Sequence, residues 1–318
     1  MLRWARLPAA VFVLVFAGSL AYFELLAGGT ASTSRPTAES GRLVVTYSAT
    51  ARNPDRGFLG TVALDGSDLR NVIEPPGGGR LAVNASPAVS PDGDTAAFQR
   101  AVAGPGGGHL PHVYVIPLDG SKPQRRLTRG APAELDPTWS PDGKRIAFAR
   151  QVDGRFDLFA WEADGSGLSR LTKTPRVDEL APAWSPDGAS IAFARYENGV
   201  ERGPGDLWLM SASGGGERRV RGGDGHDYSG PAWSPDGKQL ALLMDGHVAV
   251  TDRTGAAVRG LTADEELKES RPSWSSDGSR IAFTRDPGSI VITTPSGSNE
   301  RRVPFDQAAT GVAWVAER

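Results

Sequence analysis

One twelve-residue pattern recurs along the chain and constrains its fold more than any other feature. PTWSPDGKRIAF (137–148) returns as PAWSPDGASIAF (182–193), PAWSPDGKQLAL (231–242) and PSWSSDGSRIAF (272–283). A weaker copy, PAVSPDGDTAAF (87–98), precedes them, and VAWVAER (312–318) ends the chain on a truncated one. Equivalent positions Val89, Trp139, Trp184, Trp233, Trp274 and Trp314 lie 50, 45, 49, 41 and 40 residues apart. Self-similarity at this period is the signature of a repeat architecture in which each unit needs its neighbours to bury its faces.

Each repeat resolves into four short strands. The first ends in Trp-Ser. Ser-Pro-Asp-Gly then makes a tight turn, in which Pro pre-sets φ, Asp bonds the local backbone and Gly accepts positive φ. An apolar Ile-Ala-Phe strand follows, then a third strand such as Asp157–Trp161 or Asp206–Met210. The fourth ends in Leu127-Thr128, Leu171-Thr172 or Leu261-Thr262. Four strands in some 40–45 residues make one blade of a β-propeller. Arg42–Ser48, Phe58–Leu64 and Leu69–Ile73 read as a blade lacking its opening strand, and Gly311–Ala316 as a lone opening strand. The expectation is an all-β, six-bladed propeller over residues 42–318, its C-terminal strand completing the first blade.

Composition agrees with this reading. The 40 Gly and 24 Pro are largely repeat punctuation. With no Cys there is neither a disulfide framework nor a thiolate site. A net charge of −2 gives no global electrostatic case for nucleic acid, and none is expected as a partner.

The first 27 residues concern address. Arg3 and Arg6 precede an uncharged apolar run from Leu7 to Phe23, which Glu24 ends. This is an export signal with its arginines in the cytoplasm, either an uncleaved membrane anchor, the favoured reading, or a cleaved signal peptide. Gly28–Gly41 is a polar linker. The chain is therefore expected to be extracytoplasmic, touching the membrane through its N-terminal segment alone.

The Trp-Ser-Pro-Asp-Gly-x-x-Ile-Ala-Phe pattern resembles the WD40-like repeats of the TolB-like six-bladed propeller family. The resemblance spans roughly residues 42–318 and implies a scaffold that meets partners in the bacterial envelope. TolB itself carries a further N-terminal α/β domain, whereas here a short linker joins the N-terminal segment to the first blade.

Aligned repeats expose a charge series. Three residues before each Pro stand Asn84, Glu134, Glu179, Tyr228 and Glu269; sixteen residues later stand Arg100, Arg150, Arg195, Met244 and Arg285. In a hairpin centred on the turn these positions face each other, predicting the structural ion pairs Glu134–Arg150, Glu179–Arg195 and Glu269–Arg285. As exposed pairs, each would contribute only ~0.2–1 kcal/mol. A second series, including Arg70, Arg125, Arg126, Arg170, Arg218, Arg219, Arg259, Arg301 and Arg302, falls on the outer strands, where cations discourage edge-to-edge pairing.

Function is expected where the repeats differ. Three insertions, Ala101–His112, Tyr196–Gly205 and Gly222–Tyr228, all emerge on one face by strand parity. His226, Asp227 and Tyr228, where the charge pattern breaks, lead the binding candidates, with His109, His112 and Glu197 beside them. No G-x-S-x-G elbow, Walker loop or H-E-x-x-H occurs, so no catalytic residue is assigned. Pro111 denies His109 and His112 a helical presentation, and no metal or cofactor is expected. The primary reading is an exported, membrane-tethered module that binds an envelope protein or extracytoplasmic ligand on its loop-rich face. The alternatives are a propeller-based hydrolase or lyase acting on glycan or peptide, and a mainly structural module.

Overall fold

A computed structural model describes residues 41–48, 57–74, 82–102, 110–130, 132–200, 203–262, 267–286 and 288–315. The expected export segment (1–27), the linker up to residue 40 and His109 lie outside these residues. Blade 1 begins with β1 (Arg42–Ser48), β2 (Gly57–Ala63) and β3 (Arg70–Ile73). Blade 2 holds β4 (Ala82–Val89), β5 (Thr95–Val102), β6 (Pro111–Pro117) and β7 (Arg125–Arg126). Blade 3 follows as β8 (Glu134–Trp139), β9 (Arg145–Val152), β10 (Arg155–Glu162) and β11 (Leu168–Arg170). In blade 4 the strands are β12 (Asp178–Trp184), β13 (Ser190–Tyr196), β14 (Asp206–Ser211) and β15 (Arg218–Arg221). Blade 5 runs through β16 (Tyr228–Trp233), β17 (Gln239–Met244), β18 (His247–Asp252) and β19 (Val258–Gly260). Blade 6 consists of β20 (Ser273–Trp274), β21 (Ile281–Arg285), β22 (Ser289–Thr293) and β23 (Arg301–Val303). The last strand, β24 (Ala308–Trp314), pairs antiparallel with β1 and completes the first four-stranded sheet.

The chain is thus a six-bladed propeller closed by its C-terminal strand. The closing strand starts three residues earlier than the sequence suggests. A bulge between Thr46 and Tyr47 absorbs Thr310, and pairing resumes beyond it as Tyr47↔Ala309 and Ser48↔Ala308. Thr310 turns its hydroxyl to Thr46 and to the Asn84 carbonyl of blade 2, tying the seam to the next blade.

The Ser-Pro-Asp-Gly turn is a repeated hydrogen-bond unit. In blade 3, Ser140 Oγ donates to Asp142 Oδ1 (2.6 Å) and accepts the Arg145 N–H, while Asp142 accepts the Lys144 N–H. Blades 2, 4, 5 and 6 repeat the unit at Ser90, Ser185, Ser234 and Ser275. These bonds hold the carboxyls of Asp142, Asp187, Asp236 and Asp277 low, that of Asp277 down to about 2, through the Ser275 hydroxyl first. Gly188 supplies the positive φ (+70°) that the turn needs, and it lies against the previous blade's Pro141, whose Cγ would be in ordinary contact, 3.4 Å, with a Cβ there. The turns therefore nest into one another around the ring.

The second strands are buried on both faces: Ile146, Ala147 and Phe148 are at most 1% exposed, as are Ile191, Ala192 and Phe193. Their side chains fill the layers between blades. Such runs lack polar alternation because no face of a central strand meets water.

Candidate functional site

The six innermost strands surround an axial channel of about 1890 Å³. Pro87, Pro137, Pro182, Pro231 and Pro272 of blades 2 to 6, with Val312 of blade 1, give it an apolar wall. Pro suits these positions because an inner strand has no sheet neighbour on its channel side, so the missing N–H leaves no ladder bond unmade. In blades 2 to 5 the residue before the Pro sits at a bulge in the left-handed region: Ser86 (φ 49°), Asp136 (63°), Ala181 (59°) and Gly230 (56°).

At this waist the channel is crossed by an ion pair. Asp136 lies on blade 3 and Arg271 on blade 6, three blades away in a ring of six and so on opposite walls. Arg271 reaches over to place its guanidinium 2.5 Å from Asp136 Oδ1. Ser86 Oγ donates to the same carboxylate oxygen at 3.2 Å. On blade 5 Gly230 makes the passage possible, since a Cβ there would fall 2.6 Å from Arg271 Cγ. Sequence reasoning missed this bar. The available signal was the position before each Pro, which carries a different residue in every blade, with one acid and one base.

The predicted site residues separate into distinct environments. The Tyr196–Gly205 and Gly222–Tyr228 insertions meet at one mouth of the channel, where Asp227 Oδ1 accepts the Gly205 N–H (2.7 Å). Asp245 Oδ1 accepts the Asp227 N–H, and its other oxygen lies 2.6 Å from His226 Nδ1. Burial first, then the nearby Asp245 charge, raises the Asp227 carboxyl, while the exposed His226 is raised by the hydrogen bond that its ring N–H donates to Asp245. Asp227 and Asp245 line the mouth. Tyr228 does not: its ring is 1% exposed in the layer between blades 4 and 5. Its hydroxyl donates to Asp224 and accepts from Arg221, and its ring meets that of His226 edge-on, 6.2 Å between centroids. Tyr228 fills the slot that Glu134, Glu179 and Glu269 take elsewhere, and that slot is interior.

His112 also sits away from the channel, on β6. Arg126 donates to its Nδ1 at 2.9 Å, and Glu134 is 3.7 Å from it. Glu197 is exposed in the turn after β13. Tyr196, at the end of that strand, is buried at the channel wall, and burial and the Asp227 charge push its hydroxyl up.

The three charge pairs are in contact but not exposed. Arg195 lies 2.6 Å from Glu179, Arg285 2.8 Å from Glu269, and Arg150 3.7 Å from Glu134, with each glutamate nine-tenths buried or more. The surface-pair energy expected from sequence does not apply, because each glutamate reaches into the preceding blade. Glu269 accepts from the Val248 N–H (2.7 Å) and the Thr262 hydroxyl (2.6 Å); Glu134 accepts from Thr128 and the Val113 N–H. The Thr that ends each fourth strand is thus the partner of the next blade's Glu.

Among the described residues, no group of three or more His, Cys, Asp or Glu side chains could hold a metal ion. Among the same residues no helix is long and apolar enough to cross a membrane.

A ring of six four-stranded blades around an apolar channel defines a TolB-like propeller fold. Among solved structures, TolB from Acinetobacter baumannii is similar over 89% of this chain and 68% of its own, with 21% identity and a TM-score of 0.68. A putative TolB from Agrobacterium tumefaciens is similar over 87% of this chain and 99% of its own (18% identity, TM-score 0.61). A chain in a crystal structure of a nidogen/laminin complex is similar over 87% of this chain and 98% of its own (11% identity, TM-score 0.67), a likeness of fold alone. No family model and no curated protein matches the chain.

Proposed function

We propose that the protein is an exported module of the bacterial cell envelope, tethered by its N-terminal segment, which binds a partner protein at the loop-rich mouth of its axial channel. One observation carries this reading. The described parts of two insertion loops are stitched together by the Asp227–Gly205 bond at the same channel mouth, whereas the opposite face repeats Ser-Pro-Asp-Gly turns. A rigid ring that varies on one rim alone presents a recognition surface there. The likeness of the fold to TolB, together with Arg3, Arg6 and the apolar run to Phe23, supports an envelope address.

Site-specific photo-crosslinking of the full chain in its own cells tests the assignment. A photoreactive residue at Leu110 or Asn198, on the mouth, is expected to capture a discrete protein. The same residue at Ser121 or Ser166, in turns on the opposite face, is expected to capture none. Adducts from the turn face alone, or equally from both faces, would reject the mouth as the binding surface.

A further inference from the structure

The bar across the channel waist has the form of a binding site whose anion is supplied internally. We propose that Arg271 is the receptor for the carboxylate of an apolar ligand lying in the channel, and that Asp136 occupies the receptor until such a ligand displaces it. This goes beyond partner binding at the mouth, since it concerns residues deep in the channel and a different ligand chemistry.

Four observations converge. Arg271 and Asp136 face each other from opposite walls, in a channel whose surroundings at that level are proline, valine and small residues. Neither is sealed away: the Arg271 side chain is 30% exposed and that of Asp136 14%, so solutes in the channel reach both. A structural pair would be placed within one blade or between neighbours, as Glu179–Arg195 and Glu269–Arg285 are. Bridging the lumen stitches no adjacent sheets together. Finally, Gly230 is hollowed out beneath the Arg271 stem, and Ser86 orients the carboxylate that the guanidinium grips.

Exchange of one carboxylate for another on a guanidinium conserves its hydrogen bonds, while the displaced Asp136 charge stays in the channel, held by Ser86, and opposes the incoming acid. Net affinity must then come from apolar surface buried against the channel wall. A ligand with a carboxylate head and a hydrocarbon or apolar-peptide body fits both parts. Each added methylene is expected to tighten binding about fourfold. Replacing Asp136 by Asn removes the competing charge at a position held at φ 63°, and Asn tolerates that left-handed conformation well. The variant therefore keeps the bulge while freeing the guanidinium.

Isothermal titration of the full chain with butanoate, hexanoate and an acetylated Val-Val-Val tripeptide acid, with the corresponding amides as controls, tests the inference. The acids are expected to bind and the amides not, with hexanoate about fifteenfold tighter than butanoate. D136N should tighten acid binding at least tenfold, and R271Q should abolish it. Unfolding curves establish that both variants are folded. Should R271Q unfold, Gly230→Ala displaces the same guanidinium from the neighbouring blade and should weaken acid binding likewise. Binding of hexanoate alone identifies an aliphatic acid as the ligand type, and binding of the tripeptide alone a peptide C-terminus; either supports the carboxylate receptor. Equal binding of acids and amides, acid binding that survives R271Q in the folded protein, or weaker binding by D136N would overturn it.

Discussion

Glu179→Ala is expected to destabilise the protein by about 3–5 kcal/mol, the usual cost of removing one partner from a buried ion pair. The Glu179 side chain is fully buried and accepts two bonds from Arg195, from Nε at 3.0 Å and from a terminal nitrogen at 2.6 Å. Burial raises the Glu179 carboxyl even against these bonds, which marks how little water reaches the slot. Alanine would leave the Arg195 guanidinium, itself 5% exposed, with Glu217 at 3.1 Å as its charged partner and the Trp208 ring 4.1 Å beneath it. Because the slot sits between blades 3 and 4, the loss should loosen that interface and expose Trp208 to quencher. The double variant Glu179→Leu with Arg195→Met should recover most of the loss, since replacing both charges leaves neither unpaired. Urea denaturation of the three proteins, read by tryptophan fluorescence, supplies the comparison. A Glu179→Ala loss below about 1 kcal/mol would return the pair to the surface class.

A larger effect is expected from removing residues 307–318. That deletion takes away β24, and with it the inner neighbour of β1. Leu43, Val45, Tyr47 and Val62 pack in one cluster with Ala309 and Val312, and all are buried. Each large apolar side chain uncovered forfeits about 1.5–3 kcal/mol, so a few of them equal the stability of a whole domain, about 5–15 kcal/mol. The unpaired backbone of β1 would also open a sheet edge inside the ring. The truncated chain should lose cooperative unfolding and become protease-sensitive throughout. A synthetic peptide spanning 305–318, added in trans, should restore both properties. Survival of a cooperative transition without the strand would mean that the first blade stands on three strands.

Most of the fold was legible because the repeat states its own geometry. Ser-Pro-Asp-Gly specifies a turn at the level of individual hydrogen bonds, and Ile-Ala-Phe announces a strand covered on both sides. The facing of Glu and Arg followed from counting outward from the turn, and the register places Glu134 opposite Arg150 and Glu179 opposite Arg195. Their burial did not follow. What covers them is the preceding blade, and in the sequence the Thr that binds the glutamate marks only the end of a strand. Tyr228 shows the same limit: a break in a charge pattern looks like a surface signal, whereas the slot it occupies is interior. Asp136 and Arg271 were beyond reach of local reading, because they meet only when the ring closes and sets blade 3 opposite blade 6. Pattern along a chain reveals neighbours; it does not reveal what faces what across a lumen.

The channel, its mouth and the bar at its waist all depend on closure of six blades by β24. The chain contains no cysteine, so an introduced pair reports closure without competition. Val44 faces Ala313 and Val45 faces Val312 across the β1–β24 seam. Adjacent antiparallel pairs alternate between wide and narrow Cα separation, so one of these two positions suits a disulfide. Val44→Cys with Ala313→Cys, and Val45→Cys with Val312→Cys, are each oxidised gently and analysed by mass spectrometry of the folded chain. Closure predicts an intramolecular disulfide in at least one of the pairs. Failure of both, or disulfides formed only between chains, would contradict the closed six-bladed ring.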